Sequence, residues 1–388
     1  MPDARTPRIA PDRVRSVFIL RPDNLGDVVL FSGSLRRLRE HYPNARITLC
    51  VRRYVASLVE HCPHVDEVVY WEDLHATWPG WTRRVRGLTR LELSIRRRQI
   101  RVRHVSDVAL LPLRAPAAEM HATLMTVPAR ERYGISGCHA NQSPEVDRAV
   151  TEIYTERLAL GPERDAEHEL DVNRDFLTML GVDTGGARQP PELWTAPEDR
   201  VWAASQPWRA QGTTLIAITP GVTAPLEKVY PPDRYGAVLE LAGERRISVV
   251  ILGAPGDEAV CDEAERALAH TANVRRITNL VGRTSVRQMV ECLRAADLIL
   301  GPDSAPMHVG IALGKPTVTI VGGGQYGRFH PWGDPDLNRV VNKPMDCYGC
   351  HWVCRYPTMR CVQEIGVEEV ARAVDEALCG ISQAGQVM

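Results

Sequence analysis

Four groups of residues in this 388-residue chain could do chemistry. Asp303 and Ser304 stand at a Gly-Pro-Asp-Ser turn, with Pro306 and His308 just beyond. Asp27 ends the segment Asn24-Leu25-Gly26-Asp27. Lys228 is one of only three lysines, the others being Lys315 and Lys343. The fourth group is Cys347-x2-Cys350-x3-Cys354-x6-Cys361. A helix start attracts phosphate, and a lysine beside it suits a diphosphate. A carboxylate on a loop can take a proton from a hydroxyl. The cysteine spacing permits a four-thiolate zinc site, although only one CxxC is present.

These residues need scaffolding, and the flanking sequence supplies it. Leu298–Leu300 is an apolar run that reads as a buried strand, and Met307, Ile311 and Leu313 mark one face of a helix. Asp303 or Ser304 is expected to cap that helix, with Pro306 in its first turn, where a missing N–H costs nothing. After Gly314 and Pro316, a second strand over 317–321 ends in three glycines. This βαβ unit places its loop at the carboxyl end of a strand, where open α/β sheets bind ligands. The amino-terminal part repeats the pattern. A strand over 14–20 leads into a helix whose face carries Val28, Phe31, Leu35 and Leu38, with Asn24, Gly26 and Asp27 in the loop between. The dinucleotide fingerprint of three spaced glycines is absent there. Further strands are predicted over 46–51, 67–71, 105–111, 131–135, 215–219 and 247–252. Helices are expected around 235–241 and 367–378.

Asp303-Ser304-Ala305-x-x-His308, followed by Ala312-Leu313-Gly314-x-Pro316 and a strand, resembles the signature of glycosyltransferase family 9. These are the ADP-heptose:lipopolysaccharide heptosyltransferases and their relatives. Lys228-Val229-Tyr230-Pro231 after Thr223 fits the same pattern, as does the Gly-Asp loop at Asp27. The resemblance implies a GT-B fold, two Rossmann-like domains facing across a cleft. It further implies an inverting transfer from a nucleotide-sugar donor, by resemblance ADP-heptose, without a catalytic metal or other cofactor. Asp27 is then the candidate base. Thr223, Lys228, Thr284, Asp303, Ser304, Ala305 and His308 are candidates for the donor site, Asp303 orienting its loop. Asp257, with Glu258 as second choice, is implied at the ribose. A cysteine-rich segment before a terminal helix also belongs to the family pattern. Zinc, a disulfide or plain thiols stay open for it.

The expected domains are 1–190, a linker over 191–213 rich in Pro, Gly and Trp, and 214–388 with a terminal helix crossing back to the first domain. Ten cysteines without a signal peptide disfavour a disulfide framework. Net charge is −1, so no global field draws the chain to nucleic acid, and no apolar run spans a membrane. The expectation is a bacterial cytoplasmic enzyme. Residues 72–104 hold nine arginines against three acids, with Trp78 and Trp81. Such a run is ordinarily a solvated helical face. The sharper reading is a basic patch, including Arg83 and Arg84 and joined by Asn24, for an anionic acceptor or the inner membrane surface. The acceptor is read as lipopolysaccharide core, or as another cell-envelope glycan or a natural product. A sugar-nucleotide epimerase and a non-catalytic nucleotide-binding protein are the competing classes. An epimerase needs acid and base groups around the sugar ring, which the sequence does not locate. In a mere binding module Asp27 and Lys228 would have no task.

Overall fold

The computed structural model describes residues 8–75, 106–138, 144–223 and 228–384. Arg83 and Arg84, with most of the basic segment, lie outside these residues. The chain divides into two units, Met1–Pro191 and Glu192–Met388.

In the first unit six strands form one parallel sheet. They are β1 (Ser16–Leu20), β2 (Arg46–Val51), β3 (Glu67–Tyr70), β4 (Ser106–Leu111), β5 (Ala129–Ser136) and β6 (Glu156–Ala159). Their spatial order is β3-β2-β1-β4-β5-β6, the order of a dinucleotide-type doubly wound sheet. The order reverses between β1 and β4, which pair through Val17–Val108 and Ile19–Leu110. Helix α1 (Leu25–His41) follows β1 and buries Val28, Phe31, Leu35 and Leu38, the face expected from their spacing. It packs on α2 (Glu169–Leu180). Phe18 and Leu20 bury against Cys50, Ala109, Leu111 and Leu124. Full burial of each such large side chain stabilises by about 1.5–3 kcal/mol, more than its own lost rotamer freedom costs.

The second unit repeats the plan. Its strands are β7 (Thr214–Ile218), β8 (Ile247–Ile251), β9 (Val274–Asn279), β10 (Leu298–Pro302), β11 (Thr317–Ile320) and β12 (Asn338–Val341). All pair in parallel, in the order β12-β11-β10-β7-β8-β9, so the reversal here falls between β7 and β10. Gly301 in β10 is required by this close approach. A Cβ there would meet Thr219 Oγ1 at 2.4 Å and Thr219 O at 2.6 Å.

Residues 192–213, which contain the expected linker, group with the second unit. Within them α3 (Pro197–Ala204) packs on α6 (Val286–Ala295). Arg287 Nε pairs with Asp199 Oδ2 at 2.8 Å, and Trp208 is buried edge-on against Trp202 at 5.8 Å. The terminal helix α8 (Val367–Ala384) is bedded on β10, β11, β12 and α4 (Tyr235–Leu241) of the second unit. Val370, Val374, Ala377 and Leu378 enter that unit's core. Among the described residues, no helix is long and apolar enough to cross a membrane.

Candidate functional site

The larger cluster of reactive side chains gathers in the second unit, where the loops after β7, β10 and β11 emerge. Asp303 directly follows β10, and α7 (Ala305–Ala312) begins two residues later. Ser304 occupies the cap position but makes no side-chain cap hydrogen bond. Its Oγ is buried without a partner, so the expected cap by Asp303 or Ser304 is absent. Asp303 instead faces two histidines. His308 Nε2 lies 3.7 Å and His330 Nε2 3.4 Å from Asp303 Oδ1. The two rings stack at 4.6 Å with an interplanar angle of 9°. Trp332 Nε1 donates to His308 Nδ1 at 3.0 Å, which leaves Nε2 turned toward the carboxylate. Burial alone would raise the Asp303 carboxyl, but His330, His308 and Lys228 hold it well below the usual carboxylate range. It is therefore an anion at any physiological pH.

Among the described residues, Asp303, His308 and His330 are the set whose ligand-type atoms all lie within 4.8 Å of one another. The sequence reading contains Asp303 and His308 but not His330. Its ring arrives from the long connection after β11, 22 positions beyond His308. The only local signal is its place in the aromatic run Arg328-Phe329-His330-Pro331-Trp332.

Lys228 follows β7, and its Nζ sits 4.1 Å above the centre of the Trp352 ring. Trp352 in turn packs on Gly322 and Gly324, where a Cβ would meet its ring at 3.1 Å and 2.3 Å. Thr223, in the same loop, is exposed. Asp257 precedes α5 (Glu258–Ala269), and its Oδ2 accepts from Ala254 N at 2.8 Å. Burial, followed by the Glu258 charge, raises its carboxyl, and the Ala254 N–H partly offsets this. Glu258 is exposed and accepts from Gly256 N at 2.8 Å. Gly221 lies against Asp257, since a Cβ there would meet the carboxylate at 2.4 Å. The loop after β7 thus adjoins the loop after β8. Thr284 is half-buried, while its neighbour Ser285 caps α6 in a reciprocal capping box with Gln288.

The first unit carries a separate cluster at the carboxyl ends of β1 and β2. Asn24 takes the N-cap position of α1 without a side-chain cap, and Asp27 sits in the first turn. Asp27 is thus not the helix cap. Asn24 Oδ1 accepts from Tyr54 Oη at 3.1 Å. Burial raises the Tyr54 phenol, Arg52 lowers it, and the nearby Asp27 charge raises it again. Arg21 is fully buried, ion-paired to Asp23 at 3.0 Å and 4.8 Å over the Phe31 ring. It also donates to Pro112 O and, at 3.3 Å, to the backbone oxygen of Asp27. This pins the loop that carries Asp27 between β1 and β4.

The profile of glycosyltransferase family 9 (heptosyltransferase) matches residues 116–351, more than half of the chain. The chain belongs to glycosyltransferase family 9. The match spans Lys228, Asp257, Asp303, His308 and His330 but stops before Cys354 and does not reach Asp27. This family 9 glycosyltransferase is 23% identical to the lipopolysaccharide core heptosyltransferase OpsX of Haemophilus influenzae, over 84% of this chain and 83% of that protein. Its fold is similar to that of a family 9 glycosyl transferase from Veillonella parvula. There the TM-score is 0.68 and the identity 20%, over 96% and 99% of the two chains. The E. coli ADP-heptose lps heptosyltransferase II gives a TM-score of 0.65 at 19% identity, over 95% and 99%. Two parallel six-stranded Rossmann-like sheets with these neighbours make the fold class GT-B.

Proposed function

We propose that this enzyme transfers a heptose from ADP-heptose to a hydroxyl of a lipopolysaccharide core acceptor, with inversion and without a catalytic metal. The observation that carries the donor half is the gathering of Lys228, Ser304, His308 and His330 where strand order reverses between β7 and β10. That reversal is the ligand position of doubly wound sheets. The names of OpsX and of the E. coli enzyme support heptose, ADP and lipopolysaccharide.

In this reading the Asp27 carboxylate accepts the proton of the acceptor hydroxyl as its oxygen attacks the anomeric carbon. The bond from that carbon to the diphosphate breaks, and ADP departs with the added negative charge. Lys228, the first N–H groups of α7 and the unpartnered Ser304 hydroxyl meet that charge. Trp352 holds the Lys228 ammonium through its ring face. A bare Asp303 would repel a diphosphate. It acts instead by holding the buried His308 and His330 rings in place. Thr223, Thr284 and Ala305 complete the donor loops, and Asp257 or Glu258 accepts from the ribose hydroxyls. Cytoplasmic placement at the inner membrane face would follow from such an acceptor.

The test is incubation of the purified enzyme with ADP-heptose and heptose-deficient lipopolysaccharide core, read by mass spectrometry. The expected outcome is an acceptor heavier by one heptose and a stoichiometric yield of ADP. An isomerised nucleotide sugar with unchanged acceptor would establish an epimerase and sink this reading.

A further inference from the structure

Trp332 has no part in the transfer described above, yet it decides the state of His308. An indole carries one N–H and no acceptor. Trp332 Nε1 lies 3.0 Å from His308 Nδ1, so Nδ1 presents its lone pair. The two ring planes are inclined by only 25°, which brings the in-plane indole N–H toward that in-plane lone pair. A neutral imidazole holds one proton, and with Nδ1 bare that proton is on Nε2. Nε2 is the atom 3.7 Å from Asp303 Oδ1, so an N–H dipole faces the carboxylate. His330 differs. Its Nε2 approaches the same oxygen at 3.4 Å but without hydrogen-bond alignment, and its buried Nδ1 has no partner.

The segment that carries the indole is anchored to the sheet. Gly333 has a φ of +90°, which glycine adopts readily. A Cβ there would meet Asn338 Oδ1 at 2.3 Å and Ile311 Cγ2 at 2.5 Å. Asn338, buried in β12, accepts from Asp334 N at 2.9 Å. It donates to Lys315 O at 2.9 Å and to Thr317 Oγ1 of β11 at 3.2 Å. On the other side, Gly327 N donates to His330 O at 2.9 Å. The indole is thus placed by β11 and β12, whereas its acceptor His308 is placed by α7.

We propose that Trp332 is a positioning residue: its N–H fixes His308 as the Nε2–H tautomer and so keeps Asp303, His308 and His330 from acting as a metal site. The ligand-type atoms of the three converge within 4.8 Å. A metal takes a bare nitrogen, and a ligating histidine ordinarily donates from its other one. His308 has the reverse arrangement, with the proton on the nitrogen that faces Asp303. The His308 and His330 rings also stack within 9° of parallel at 4.6 Å. Lone pairs lying in two separate parallel planes do not meet at one point. The Asp303 charge is then offset by N–H dipoles and Lys228 instead of a bound cation, which leaves Lys228 and α7 to the diphosphate. That last consequence rests on the donor-site reading; the tautomer does not.

The full chain labelled with nitrogen-15 histidine is read by long-range proton–nitrogen NMR at neutral pH. His308→Gln and His330→Gln assign the two rings by loss of their signals. The wild type should show a bare Nδ1 and a protonated Nε2 on His308, and added zinc should leave both rings unmoved. Trp332→Phe keeps an aromatic ring and removes the donor. It should lose the single tautomer, and with His308 free to turn, zinc should shift the ring signals of both histidines. These signals do not report an ion at Cys347, Cys350, Cys354 and Cys361, thiols outside any disulfide that line a cavity including neither histidine. A proton on His308 Nδ1 in the wild type, wild-type rings that move with zinc, or an unchanged tautomer in Trp332→Phe would each overturn the proposal. If that variant does not fold, the wild type decides through the indole proton of half-buried Trp332. Slow exchange with solvent beside the Nε2–H tautomer supports the fixed hydrogen bond, and fast exchange overturns it. A wild type with this tautomer that gains no heat protection from ADP would support the proposal and sink the donor reading alone.

Discussion

At the scale of single residues, the enzyme reading rests most on Asp27. Asn24 holds the cap position, so Asp27→Asn removes a proton acceptor and a favourable first-turn charge but no cap. The charge is worth about 0.3–1 kcal/mol of stability. Loss of a general base costs about 10²- to 10⁴-fold in rate. The expected outcome is a fall in kcat within that range, at nearly unchanged ADP affinity and melting temperature. A fully active variant would send the search to other carboxylates or histidines of the first unit. Asp303 is tested by pH. Its folded carboxyl titrates well below the ordinary value of 3.8, so its stabilising contribution is present above that value and fades as pH falls toward the folded one. Asp303→Asn should therefore melt earlier at pH 7, with a deficit of about 1–3 kcal/mol for unmade buried partners. The gap between variant and wild type should narrow in acid, below about pH 4. Melting curves across pH check this, and a constant gap would dissociate Asp303 from the two histidines.

Elements place these residues by touching closely. The loops after β7 and β8 meet where Gly221 faces the Asp257 carboxylate, and that carboxylate is itself held by Ala254 N. Gly221→Ala forces one of the two loops to shift, at a cost of about 1–3 kcal/mol by the measure of overpacking. The expected result is a lower melting temperature and weaker ADP binding, with most of the melting temperature recovered when Asp257→Ser is added. An unaffected Gly221→Ala protein would show that the β8 loop gives way freely.

For the whole molecule, ADP should protect against heat. At about 100 times Kd the gain is roughly 2.7 kcal/mol, read as a rise in melting temperature. Lys228→Ala removes a charged contact worth about 1.5–3 kcal/mol. It should weaken ADP binding by about 10- to 150-fold and remove most of the protection. Unchanged protection would take Lys228 out of the phosphate site. Transfer should persist in EDTA without added divalent cation, because protein charges meet the leaving group. Activity lost in chelator and regained with Mg²⁺ or Mn²⁺ would place a catalytic metal at Asp303, His308 and His330, where the ligand atoms converge.

The central strands, the helix faces and the family motif are local properties, and local sequence was enough to find them. β1, β7 and β10 are buried apolar runs, and the Asp-Ser-Ala-x-x-His pattern lies within six residues. The edge strands β6 (ERLA), β9 (VRRITN) and β12 (NRVV) mix charged or amide residues with few apolar ones, so none shows the apolar run or alternation that marks a strand in sequence. The role of residues 192–213 was hidden for a different reason: a Pro- and Gly-rich composition looks the same whether its tryptophans are buried or not. Tertiary structure alone decided that His330 joins Asp303 and His308, and that Trp352 lies under Lys228. Each of these contacts joins loops far apart in sequence. They meet because parallel strands deliver all their carboxyl ends to one edge of the sheet, a convergence that no window along the chain contains.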